Sequence, residues 1–208
     1  MSKHVDYELA KKIMGDNFIG LDELNCIKDM NLSLPKKIPV IPYSEDELRK
    51  KKEDYFLILA VDKMHNGKAI TIRNMIDIFG RDPSIHEPCF YNQDWYEKED
   101  FIDTPLKAGW FLIRKTVYES SRAVQPAELL QQYIFPSAVS CCYAFYVVWL
   151  SRDYKLWYHD FVWCRDIDHN GDRIYVGKYN DVDGVNKNGF SIHRHLGLRE
   201  CYGCVDIL

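Results

Sequence analysis

The stretch that most constrains this chain is its longest apolar run, IFPSAVSCCYAFYVVWL, from Ile134 to Leu150. Crossing a bilayer takes about 20 predominantly apolar residues, and this run also carries Pro136, two Ser and two Tyr. It therefore reads as a buried helix opened by Pro136, a residue the first turn of a helix tolerates. A helix that is apolar nearly all round has to be enclosed between layers. Cys141 and Cys142 within it read as small, inert hydrophobes.

The layers come from the rest of the chain. Val5, Leu9, Ile13 and Met14, stopped by Gly15, have helical spacing, and Leu21, Leu24, Ile27 and Met30 repeat it. Residues 1–33 are thus expected to form a small helical hairpin, with GDNFIG (15–20) turning the chain. Four Lys against six acids make that segment net negative, which counts against a phosphate-binding helix-turn-helix and favours a hairpin for packing or protein contact. Pro35, Pro39 and Pro42 make residues 34–43 a stiff, extended linker or edge segment. Ser44 and Glu47 form a capping box that opens the next helix, and residues 44–208 are expected to be the main domain.

YFLILAVD (55–62) reads as a central strand buried on both faces, and GWFLIRKTV (109–117) as a second strand. Thr71 caps a helix closed by Gly80. Residues 81–108 are irregular, and long loops of this kind are often functional; Trp95 and Tyr96 are the candidate exposed contacts there. The last third predicts a β-meander. WYHDFVWCR alternates, Asn170-Gly171 signals a type I′ turn, RIYVGKY returns, GFSIHRHL follows a polar loop, and CYGCVDIL closes. The expected class is α+β, a mostly antiparallel sheet packed on the apolar helix.

With 47% hydrophobic and 14% aromatic residues, the 208-residue chain can build a sizeable core. A net charge of −4 gives no electrostatic case for binding nucleic acid or an anionic membrane. The N-terminal MSKHVDYELAKK has no apolar signal core, so the seven cysteines are expected to be reduced thiols in a cytoplasmic protein.

Four constellations could carry chemistry. His193 and His195, i and i+2 on a strand, with Cys201 and Cys204 could complete a tetrahedral zinc site. Asp166, Asp168, Asn170 and Asp172 imitate the first half of a calcium loop, although its twelfth position, Gly177, has no carboxylate. Asp181, Asp183, Asn186 and Asn188 on the polar loop, with Trp95 and Tyr96, are candidate ligand contacts. His159, Asp160, His193 and His195 could supply acid–base or metal-dependent hydrolysis, but no nucleophile elbow, phosphate loop or HExxH motif accompanies them. The leading expectation is a non-catalytic module that binds a protein or small ligand through loops 81–108, 166–172 and 180–189. The alternative is a metal-dependent hydrolase centred on His159, His193 and His195.

HDFVWCRD, DRIYVGKY and the closing strand resemble the end of the C-type lectin-like fold of the formylglycine-generating-enzyme type, matched at Trp163, Arg173, Gly177 and Tyr179. The resemblance spans about the last 50 residues and implies a loop-rich β scaffold of the kind used to bind proteins or glycans. The catalytic cysteine pair of that enzyme has no counterpart in a matching context, so its activity is not implied. NFIG (17–20), IPYSEDEL (41–48), DWYEKEDF (94–101), GWFLIRK (109–115) and DRIYVG (172–177) also resemble a group of bacterial proteins to which no function is attached.

Overall fold

The computed structural model describes residues 4–91, 93–178, 189–194 and 197–208. Helix α1 (Tyr7–Met14) starts where the Asp6 carboxylate accepts the Leu9 N–H at 2.8 Å, and it ends at Gly15 with φ 55°. Strand β1 (Phe18–Ile19) and helix α2 (Leu21–Cys26) follow. Helix α3 (Glu45–Lys51) carries the expected capping box, with the Ser44 N–H donating to Glu47 Oε2 at 2.8 Å. Then come strand β2 (Tyr55–Ala60), helix α4 (Ile72–Phe79, capped by Thr71), and strands β3 (Cys89–Phe90) and β4 (Gly109–Arg114). Helix α5 (Pro126–Leu129) and the apolar helix α6 (Ala138–Arg152) precede strands β5 (Phe161–Ile167), β6 (Arg173–Lys178), β7 (Gly189–His193) and β8 (Tyr202–Gly203).

The architecture is α+β with two open sheets. One has the order β1-β2-β4, with β1 parallel and β4 antiparallel to β2, whose six residues are all buried. The C-terminus extends it beyond β4, because Leu112 and Leu208 exchange backbone hydrogen bonds of 3.1 and 3.0 Å. The other sheet has the order β3-β7-β6-β5-β8. Its centre is the antiparallel meander β5-β6-β7, and short parallel strands flank it on both edges. No helix among the described residues is long and apolar enough to cross a membrane.

Helix α6 is buried on all sides, as its composition demands. Tyr143 Oη donates to the Leu59 carbonyl of β2 at 3.0 Å, while Phe145 and Tyr146 pack against Phe190 of β7. Tyr146 also stacks on Phe79 of α4, with ring centroids 4.0 Å apart. Ser137 caps its N-terminus, so Pro136 lies one residue before the cap rather than in the first turn. At the other end the Arg152 guanidinium donates to the carbonyls of Asp16 and Phe18 and to Glu23, each within 3.0 Å.

Several expectations change. Residues 15–20 hold more than a turn, since β1 pairs with β2 through Phe18↔Leu57 and Ile19↔Ile58. The segment 1–33 thereby contributes a strand to the main body and shares its core. The proline-rich segment lies along that body as well, with Trp110 Nε1 donating to the Pro39 carbonyl at 3.0 Å. The alternating WYHDFVWCR does not start its strand until Phe161, because Trp157 takes a left-handed φ of 51°. Gly171 has φ 86° but Asn170 has no positive φ, so the hairpin turn is not type I′.

Gly189 sits where backbones nearly touch. A Cβ there would lie 2.1 Å from the Tyr91 nitrogen and 2.3 Å from the Phe90 carbonyl carbon. Gly189→Ala is expected to separate β3 from β7 and to destabilise the fold by about 2 kcal/mol. Urea unfolding measures the loss, and faster hydrogen exchange at the Tyr91 amide, which donates to the Phe190 carbonyl, locates it.

Candidate functional site

The densest polar constellation is built around the β5–β6 turn. Asp168 organises the turn itself, because its Oδ1 accepts the N–H groups of Asn170 at 2.9 Å and Asp172 at 2.8 Å. This is the Asx chemistry that makes Asp common in turns. Its second oxygen accepts Arg194 Nη1 at 2.5 Å from just beyond β7. Next in the chain, His169 is tied to Glu99, a residue 70 positions away. Glu99 Oε2 accepts the His169 backbone N–H at 2.9 Å, and Oε1 accepts the ring Nδ1–H at 2.6 Å. Arg194 Nη1 also reaches Glu99 Oε1, at 3.4 Å.

Glu99 is only 6% exposed, and the loop that carries it is fastened from two sides. Toward α4, Arg73 holds Asp103 through two hydrogen bonds of 2.7 and 2.8 Å, and Arg81 pairs with Glu97 at 2.6 Å. Toward β7, Trp95 Nε1 donates to the Ile192 carbonyl at 3.1 Å, and the Arg194 guanidinium lies 4.4 Å over the Trp95 ring. An open cleft of about 300 Å³ adjoins this junction, lined by Lys98, Glu99, Asp100, Ile167, Asp168 and His169.

Two buried carboxylates in one junction have to be compensated. Burial pushes the Asp168 carboxyl up, but the Asp172 N–H, Arg194 and the Asn170 N–H together overcome it and hold the group at about 2. Glu99, Asp168 and His169 each place one potential ligand atom within 4.8 Å of the others, the single such cluster of His, Cys or acid groups among the described residues. Arg194 already bridges both carboxylates, so a cation would have to displace it. The arrangement works as a latch between two loops. It also fixes the His169 ring through Nδ1, as carboxylates do for oriented histidines, while the side chain stays 65% exposed.

The residues singled out from sequence fall elsewhere, or only partly here. Trp95 belongs to the junction and is half-buried, but Tyr96 is fully buried and offers no surface contact. Burial pushes its hydroxyl up to about 12. His193 lies in an aromatic slot, stacked on Tyr175 at 5.5 Å with Phe161 edge-on at 5.3 Å. Burial pulls its imidazole down to about 4, so it is neutral.

Among the described residues, His193, Cys201 and Cys204 do not form a metal-ligand cluster. Burial raises both thiols, Cys204 to about 11. Of the residues that imitate a calcium loop, Asp166 turns to helix α6, where its Oδ2 accepts the Ala138 N–H at 2.6 Å. His159 is exposed on a turn, and Arg122 holds Asp160 through bonds of 2.7 and 3.1 Å. Asp181, Asp183, Asn186, Asn188 and His195 lie outside the described residues. Sequence reading missed the pairing of Glu99 with His169, although both stood in segments flagged as loops.

No protein-family model, no curated protein and no solved structure matches this chain.

The latch has a measurable pH signature. Asp168 titrates below an ordinary carboxylate, so its contribution is complete above about pH 4. It is expected to be lost as the pH falls through about 2. Arg194→Met, which removes the guanidinium that two buried carboxylates share, should cost about 3 kcal/mol near neutral pH and flatten this acid limb. Urea unfolding from neutral to acid pH checks both.

Proposed function

We propose that this chain is a non-catalytic binding module whose ligand, a segment of a protein partner, sits in the cleft beside the latch. One observation carries the reading. The buried Glu99 carboxylate spends both oxygens on His169 and shares one with Arg194, which holds two loops from distant segments in one arrangement. Loops fixed before the ligand arrives do not have to be ordered on binding, and this lowers the cost of association.

The cleft's exposed side chains carry little structural duty. Ile167 is 52% exposed, and Lys98 and Asp100 take part in no ion pair among the described residues. An exposed apolar residue between opposite charges suits a peptide with one apolar anchor and flanking charges. The meander β5-β6-β7 with its short edge strands supports a lectin-like, loop-presenting scaffold as part of this proposal. The seven free thiols, five of them buried, support a reducing cytoplasmic setting. A hydrolase centred on His159 and His193 has less behind it, because one is exposed on a turn and the other is a neutral ring in an aromatic slot.

Panning a random peptide library on the immobilised chain tests the reading. Enriched peptides are expected to bind in the micromolar range and to weaken at least about tenfold on Ile167→Asp, with a smaller loss on His169→Ala. Peptides that ignore both substitutions, or no enrichment at all, would overturn it.

A further inference from the structure

Lys178, at the end of β6, is 3% exposed and is the one buried cation among the described residues. The buried acids Glu99 and Asp168 both have charged partners, whereas among the described residues the Lys178 ammonium has no hydrogen bond and no ion pair within 4.0 Å. It lies 4.5 Å from the centre of the Tyr158 ring and 5.7 Å from that of Trp149. A second ammonium uses the same two rings. Lys155 Nζ is 4.9 Å from Trp149 and 5.7 Å from Tyr158.

Two like charges therefore share one aromatic patch. Among the described residues, the ionisable groups acting on Lys178 are Lys155, Glu87 and Cys89, the last a buried thiol. Burial first, then Lys155, push the Lys178 ammonium below the usual lysine range, and Glu87 and Cys89 oppose them without forming an ion pair. Ring faces attract a cation but give an ammonium no oxygen acceptor, and burying a charge without a partner is costly. Among the described residues no carboxylate pairs with either ammonium.

We propose that Lys178 and Lys155 are the cationic half of a binding site for a ligand bearing a phosphate or carboxylate group, held between the two ammoniums beside Tyr158 and Trp149. Lys178 would supply the more buried contact and the exposed Lys155 the entry. This site stands independently of the cleft at Glu99.

Calorimetric titration of the whole chain with inorganic phosphate, and separately with acetate, at low ionic strength and neutral pH tests it. One equivalent is expected to bind; preference for phosphate marks a phosphate-bearing ligand, and equal binding of acetate a carboxylate-bearing one. Lys178→Met should weaken binding at least about tenfold and Lys155→Gln several-fold, while Lys50→Gln on α3 should have no effect. Lys155 is exposed, so its variant keeps the test decisive should Lys178→Met disturb packing. If neither anion binds, or both lysine variants bind as the parent does, the lysines are held by the rings alone and the proposal fails.

Discussion

The enclosure of α6 is the constraint on which the rest of this structure depends. Eleven of its residues, from Ala138 to Trp149, are buried, and burying each large apolar side chain contributes about 1.5–3 kcal/mol. No single sheet could cover such a helix. The fold answers with β1-β2-β4 reached through Tyr143, with β7 reached through Phe145 and Tyr146, and with α4 stacked against Tyr146. Arg152 fastens the N-terminal segment at the far end, which is how a short helical stretch becomes part of the main body.

Both polar sites follow from that enclosure. At the start of α6, Asp166 satisfies the Ala138 N–H and so fixes β5 just before the turn that carries Asp168 and His169. At its end, Trp149 faces Lys178 and Lys155. Strand β6 runs between the two places, from Arg173 beside the turn to Lys178, a span of roughly 17 Å at the usual rise per residue. The latch and the lysine pair thus stand at opposite ends of one strand, each positioned by an end of the same helix. Their electrostatics differ: the buried carboxylates are matched by Arg194, His169 and backbone N–H groups, and the buried ammonium, among the described residues, by ring faces.

What could be read directly from residues has a common cause. The caps at Ser44 and Thr71, the stop at Gly80 and the buried strand 55–60 depend on residues within a turn or on one strand's own apolar run, and all appear as expected. Strand β1 is two residues long and owes its identity to Leu57 and Ile58 beside it, so no local pattern marks it. The Asn170-Gly171 pair pointed correctly to a turn. Its type was decided by Asp168, whose side chain closes the loop. His193 looked like a ligand because strand spacing can bring i and i+2 together, and its aromatic neighbours belong to strands it meets only in the folded sheet.

By itself, then, the chain's text determined the class, the enclosed helix, the main strands and the segments that form loops, because capping, periodicity and hydropathy act over a few residues. The tertiary structure alone decided which charges meet. Glu99 and His169 are 70 positions apart, and neither is distinguished by its neighbours. Lys178 reads as an ordinary strand residue until Trp149 and Tyr158 cover it. Electrostatic partnership depends on distance in space and on the loss of water, and both are set by the path of the whole chain.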